Sequence, residues 1–320
     1  MDILQQLLTQ YRAHEKIVQI SQWLGDDKTR PRIRISGLTG SADAFVAAAL
    51  FLERPGYTLY IGADKEEAAY FQNSLANLLP KKEVHFFPDS FKSPGNFERL
   101  ESSNVLQRTE IINRISQSLA EGECIVTYPE ALFERVVSPG ELSGSRIEIR
   151  SGESLDVDTI IEVLIEYGFT RTDFVYEPGQ FSIRGGIVDI FSYGNEWPYR
   201  IELFDEEVES IRIFDPVNQL SKQNISRVSI VPNINTRFKK DQKVSLLSIL
   251  PEDTVVWVTD IQQLTDRLQR CFEQAEEFAR TVLPTLEEQE LKSIFDDLSF
   301  LRPGEVLSDV LDFVMVIPNN

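Results

Sequence analysis

The sequence predicts an α/β protein in which a parallel-sheet domain with a degenerate P-loop-like turn is interrupted by a small α+β insert. Two observations carry this. From Arg32 to about Val137 the β-type runs "RIRIS", "YTLYIGA", "EVHFFP" and "CIVTY" alternate with "ADAFVAAALFLE", "KEEAAYFQNSLANLL" and "NFERLESSNVLQRTEIINRISQSLAEG", whose apolar residues recur at helical spacing. That alternation is the pattern of parallel strands joined by helices. Near Ser138 the texture changes to strand pairs and turns, and from about Asn233 the first texture returns with "DTVVWVT", "DIQQLTDRLQRCFEQAEEFA" and "VLDFVMVIP". The expected division is 1–137, 138–232 and 233–320, with the last apolar run completing the first domain's sheet or packing beside it.

The first element to justify is the turn in "ISGLTGSADAFVAAAL". A P-loop needs a glycine, four residues, then Gly-Lys-Ser/Thr, because backbone N–H groups and the lysine cradle phosphates and the hydroxyl reaches the metal. Gly37 starts the pattern and Gly40 lies within it, but Ala42, Asp43 and Ala44 stand where the second glycine, the lysine and the hydroxyl belong. Asp43 repels phosphate and itself occupies the favourable potential of a helix N-terminus. The segment therefore reads as a simple βα turn rather than a nucleotide site.

The loop "PDSFKSPGNFE" follows the third strand, at the carboxyl edge where open α/β sheets place ligands. Its Phe91 and Phe97 are expected to pack the loop onto its own domain, with contact to a partner as the alternative.

The insert opens with "SRIEIRSGE" and the amphipathic "DVDTIIEVLIEYGF", followed by "FSIRGGIVDIF" paired with "YRIELF" and "ESIRIFD" paired with "VSIVP", with "SYGNEWP" and "DEE" as turns. Strand alternation puts Phe181, Ile183 and Ile187 on one face and sends Ser182 and Arg184 to the other. The same rule buries Tyr199, Ile201 and Leu203 and leaves Arg200 and Glu202 opposite. Gly185 and Gly186 suggest a bulge or a close backbone approach. Two readings fit this charged face: a solvated hairpin surface with an Arg–Glu pair of little energetic weight, or a binding surface.

Composition narrows the function classes. The 320 residues have 42% hydrophobic content, enough for two or three ordinary cores. A formal charge of −19 disfavours broad contact with nucleic-acid backbone. Cys124 and Cys271 are too few for a disulfide framework and fit a reducing cytoplasm. His14 and His85, far apart, give no obvious material for a His-based metal site or triad, and no cofactor is expected. No targeting or spanning segment is evident, so no membrane partner is expected.

The stretch "GFTRTDFVYEPGQFSIRGGIVDIFSYGNEWPYRIELFDEEVESIRIFDPVNQLS" closely resembles the bacterial transcription-repair coupling factors (Mfd) and, more distantly, the excision-repair subunit UvrB. "EPGQFSIRGGIVDIF" and "PYRIELFDEEVESIRIFD" carry it most strongly. "GLTGSADAF", "HFFPDSF" and "SPGNFERLESSNVLQR" extend it more weakly over almost the whole chain. The resemblance implies an N-terminal UvrB-like module of a longer, ATP-driven DNA translocase, with RNA polymerase and DNA engaged through later domains. The chain's end just after a strand-like run is consistent with a piece of something longer. Coupling factors typically carry a degenerate P-loop, and the helicase motifs are absent here. The short "PDSFKSPGNFE" loop leaves no room for UvrB's damage-gripping hairpin. In UvrB the inserted domain binds UvrA, and the matching positions are Arg171, Arg184, Arg200 and Glu202; one family arginine is replaced by Ser182. The module is thus expected to be a UvrA-recruiting adaptor without ATP hydrolysis. An intramolecular clamp that masks the UvrA-binding face, and a nucleotide-dependent helicase fragment, are the alternatives.

Overall fold

The computed structural model describes residues 3–25, 30–93, 95–117, 122–193, 195, 197–234, 238, 242–287, 289–296 and 300–319. Six parallel strands form one sheet in the order Arg32–Ser36, Val314–Asn319, Val255–Val258, Thr58–Ile61, Cys124–Thr127, Val84–Phe86. The strands at its centre are apolar because helices cover them: Thr58–Ile61, Cys124–Thr127 and Val255–Val258 are buried at every residue. The run "VLDFVMVIP" completes this sheet, as one of the two readings held. It supplies the end of the helix Pro303–Leu311 and the strand Val314–Asn319, which pairs on both edges.

The helix Ala42–Glu53 is apolar nearly all round, and Ala44 to Phe51 are all buried. A helical pair, Ile3–Arg12 and Glu15–Leu24, packs on it. The helix expected from Asn96 onward starts later. Phe91–Ser93 and Asn96–Leu100 form a small antiparallel hairpin, and the helix runs Ser102–Ser116. Of the loop "PDSFKSPGNFE", Pro94 lies outside the described residues, as do 118–121 at the end of the expected helix. Phe91 and Phe97 are buried in a group of rings that includes Phe278, Phe295 and Phe300, so they serve their own core.

The second sheet has the order Ser221–Ile225, Glu207–Phe214, Tyr199–Phe204, Ile187–Phe191, Gln180–Arg184, Thr170–Arg171, antiparallel except for the last pair. Of the two expected pairings, that of "FSIRGGIVDIF" with "YRIELF" is present, through Ile187–Phe191 and Tyr199–Phe204, and the other is corrected. "FSIRGGIVDIF" is a hairpin in itself, turning at Gly185–Gly186, with Arg184 opposite Ile187. "VSIVP" does not pair with "ESIRIFD": Arg227–Ile230 pairs with Ile147–Arg150, so the strands entering and leaving this region lie side by side. Glu207–Phe214 pairs instead with Tyr199–Phe204 and Ser221–Ile225. In the turn "SYGNEWP", Gly194 and Glu196 lie outside the described residues.

Two main cores result. One gathers Leu8 to Leu142 with Val231 to Val316; the other, Ile149 to Ile230, lies between the second sheet and the helix Val157–Glu166. Among the described residues, no helix is long and apolar enough to cross a membrane.

Candidate functional site

The P-loop-like turn joins the strand Arg32–Ser36 to the helix Ala42–Glu53, with Gly37 at φ 83° and Gly40 at φ 60°. Asp43 sits in the first turn, and its Oδ1 accepts the N–H of Ala44 at 2.7 Å. The turn borders a cleft of about 450 Å³ whose lining includes Gly40, Ser41, Asp43, Tyr60, Glu67 and Gln263. Its described lining holds two carboxylates and no Lys, Arg or His. Burial pushes the carboxyl of Asp43 up from its ordinary value, against the backbone hydrogen bonds that favour its charge. Burial also raises the Tyr60 hydroxyl, with the charges of Glu67 and Asp43 adding to the effect. Two carboxylates without a facing cation are electrostatically unfavourable for a phosphate.

The charged face of the second sheet is built by register. Ser182 opposes Asp189, Asp189 opposes Arg200, Arg200 opposes Arg212, and Glu202 opposes both Ile187 and Ser210. These residues share one face; Phe181, Ile183, Val188, Ile190, Tyr199 and Ile201 share the other, which packs into the core. Ile187 was expected on the apolar face. The two-residue turn at Gly185–Gly186 reverses the parity of the returning strand and puts Ile187 among the charges. Only glycine fits at 186, since a Cβ there would lie 2.7 Å from the carbonyl oxygen of Leu203.

Asp189 is the hub. It is fully buried, and its Oδ2 accepts from Arg184 Nη2 at 2.6 Å. Arg200 holds the same carboxylate at two points, Nε to Oδ1 at 2.7 Å and Nη2 to Oδ2 at 2.8 Å. Arg184 also donates to the Asp173 carbonyl at 2.6 Å and to Ser182 Oγ at 3.1 Å, and its guanidinium stands 4.6 Å over the Phe174 ring. Arg200 stacks 4.4 Å over Phe214 and donates to the carbonyl and side-chain oxygen of Gln219. The Asp189 hydrogen bond raises the Arg200 pKa beyond its ordinary value, against the opposing effect of burial. Glu202 pairs with Arg212 and accepts from Ser210 Oγ at 2.8 Å.

Arg184, Arg200 and Glu202 therefore share a face, as alternation indicated, but the arginines are tethered rather than freely solvated. Arg171 is not brought into that group. The strand Thr170–Arg171 pairs in parallel with Gln180–Phe181, and Arg171 stands beside Phe181, exposed at the sheet edge on the side of the core residues. Ser182 is buried beneath Arg184, its hydroxyl donating to the Asp173 carbonyl at 2.8 Å. Sequence reading missed Asp189, Arg212 and Gln219. A lone carboxylate inside the apolar run "GGIVDIF" was the available signal for the first, since a buried charge requires partners.

A family model described as the UvrB interaction domain matches residues 147–235. The matched range spans the whole second sheet. The chain is 32% identical over 210 residues to the transcription-repair-coupling factor of Bacillus subtilis (strain 168), covering 65% of this chain and 18% of that protein. Identity and coverage are the same for the transcription-repair-coupling factor of Staphylococcus haemolyticus (strain JCSC1435). For that of Staphylococcus aureus (strain Mu50 / ATCC 700699), identity is 31% over 197 residues, 61% of this chain and 16% of the relative. The chain spans less than a fifth of the length of these curated relatives. The chain is thus similar to a part of transcription-repair-coupling factors, with residues 147–235 similar to the UvrB interaction domain.

Proposed function

We propose that this module is the UvrA-recruiting adaptor of a transcription-repair coupling factor, linking stalled RNA polymerase to nucleotide excision repair. The observation that carries the reading is the pair Arg184 and Arg200, fixed on the buried carboxylate of Asp189 within the residues matched as a UvrB interaction domain. Guanidiniums held in one orientation present their remaining N–H groups and planar faces to a partner, and arginine is enriched among interface hot spots. Arg184, Arg200 and Glu202 form the central contacts, and Arg171 contributes from the sheet edge. Segments 1–137 and 233–320 form the scaffold that presents 138–232. RNA polymerase and DNA are engaged by the rest of the longer protein. The acidic cleft beside Asp43 supports a module without ATP hydrolysis over a helicase fragment.

Calorimetric titration with UvrA of the same organism tests this, with an Arg171/Arg184→Glu variant whose fold is checked by circular dichroism. Charge reversal should weaken binding by about 2 kcal/mol or more if Arg184 is central. A folded variant that binds like the wild type overturns the site, and a wild type that does not bind favours the intramolecular clamp.

A further inference from the structure

The strand Arg32–Ser36 ends the parallel sheet, and among the described residues Val314–Asn319 is the one strand that pairs with it. The N–H of Met315 donates to the carbonyl of Pro31 at 3.0 Å. Backbone groups of a parallel strand turn alternately to its two sides, so the N–H and C=O of Ile33 and Ile35 serve Val314–Asn319 while those of Arg32, Arg34 and Ser36 face the open edge. All three outward residues are exposed. A row of unpaired donors and acceptors along a five-residue strand is a template for one more strand.

The two faces of that edge differ. On the Ile35 side lies a cavity of about 360 Å³ whose lining includes Leu7, Tyr11, Ile17, Ile35 and Leu38, and Ser36, at the open edge, lines it too. Ile33 is buried, whereas Ile35, one pleat further on, is only partly so, as are Tyr11 and Leu38. On the other face, Arg32 and Arg34 make no ion pair among the described residues. Arg30, next in the row, is answered by Glu252 at 3.9 Å. Asp260, which lines a cleft with Arg34, gives its Oδ1 to the N–H groups of Gln262 and Gln263.

We propose that the open edge of Arg32–Ser36 takes an extended segment of a partner protein by strand addition, with a large apolar side chain filling the cavity beside Ile35 and carboxylates at the alternate positions meeting Arg32 and Arg34. Backbone hydrogen bonds supply the affinity. Successive residues of the added strand point to opposite faces, which matches an edge that is apolar and hollow on one face and cationic on the other. With strands about 4.8 Å apart, a residue set beside Ile35 on the same face reaches the cavity directly. This edge belongs to the parallel sheet rather than to the second sheet and its arginine face, so the proposal goes beyond the adaptor reading and does not depend on it.

The test is selection of random short peptides against the chain, followed by titration of the enriched peptides and amide hydrogen exchange. Enriched sequences should alternate apolar and acidic residues. Their binding should slow exchange at the N–H groups of Arg32, Arg34 and Ser36 by at least about tenfold, with little change at Ile33 and Ile35, whose groups already face Val314–Asn319. Arg34→Pro removes an outward donor at an edge position where proline is tolerated and should lower affinity at least about tenfold. Leu7→Glu, at a residue 38% exposed, should lower it by placing a charge where the apolar side chain sits. No enrichment, enriched peptides without the alternation, or binding that leaves those three amides unprotected overturns the proposal. So does a chain that dimerises through this edge, seen by sedimentation as a dimer that Arg34→Pro abolishes. Circular dichroism checks each fold, and Leu7→Glu decides the matter if Arg34→Pro is perturbed.

Discussion

Arg200 meets Asp189 at two points, with Nε 2.7 Å from Oδ1 and Nη2 2.8 Å from Oδ2. Arg184 reaches the same Oδ2 at 2.6 Å, so one buried carboxylate orients two arginines from neighbouring hairpins. Each guanidinium lies over an aromatic ring, Phe174 or Phe214, which limits its rotation. The two guanidiniums are consequently held in one orientation, so on the proposed reading ordering them costs little on binding.

Removing the hub should therefore be expensive. Asp189→Ala leaves two partly buried guanidiniums without their acceptor and is expected to destabilise the chain by about 3–5 kcal/mol, measured by urea unfolding. Asp189→Asn keeps the shape and one acceptor oxygen and should lose less. A loss under about 1 kcal/mol for the alanine variant, the level of exposed ion pairs, would show that water substitutes for the carboxylate.

A second prediction concerns the short hairpin at 91–100. Phe97 is buried with ring centroids of Phe91, Phe278, Phe295 and Phe300 at 5.0–5.7 Å. Phe97→Ala should cost about 3–5 kcal/mol, because truncation both loses transfer energy and leaves a cavity among rigid rings. Thermal unfolding followed by circular dichroism reads the effect. A change within about 0.5 kcal/mol would mean that the ring is a surface group and the loop free to serve another partner.

Much of the fold was legible because buried parallel strands write themselves as unbroken apolar runs. "CIVTY" and "DTVVWVT" needed no partner to be read, and "VLDFVMVIP" found its place between Arg32–Ser36 and Val255–Val258. Pairing in the second sheet was less legible. Period-two alternation says which residues share a face of one strand but is silent about a turn, and the Gly185–Gly186 turn shifts the phase by one, carrying Ile187 to the charged side. Pairing between Arg227–Ile230 and Ile147–Arg150 spans about eighty residues and leaves no local trace. Arg184, Arg200 and Glu202 were found by alternation, whereas Asp189 was passed over because its role depends on two partners that only the register supplies. Arg171 rested on resemblance alone, and the register sets it at the edge.

Glu123 gives a prediction in pH. Burial would raise its carboxyl, but the hydrogen bond from His85 at 2.8 Å and the Arg114 guanidinium at 3.0 Å outweigh that, and its pKa lies below the ordinary 4.5. A carboxylate depressed on folding contributes stability that is complete above its unfolded value and is lost as pH falls through its folded one. Urea midpoints should therefore fall more steeply below about pH 4.5 in the wild type than in Glu123→Gln. Parallel curves for the two proteins would show that the pair does not distinguish the folded from the unfolded state.

Asp43 has the opposite sign. Burial raises its carboxyl above the ordinary 3.8, although the Ala44 N–H and the start of the helix Ala42–Glu53 favour the charge. A carboxyl raised on folding is unfavourable once ionised, so its penalty is present at neutral pH and is relieved as pH falls through the raised value. Asp43→Asn keeps an acceptor for the Ala44 N–H and removes the charge from a cleft that Glu67 also lines. The variant should be more stable than wild type at neutral pH by no more than about 1 kcal/mol, the loss of the helix-terminus interaction offsetting part of the gain. The difference should close as both proteins become neutral at that position in acid. Denaturation at neutral and acidic pH checks this, and a variant less stable than wild type at neutral pH would mean that the helix terminus, rather than burial, dominates at Asp43. In that case the turn would retain the anion preference of a phosphate-binding loop, filled by its own side chain.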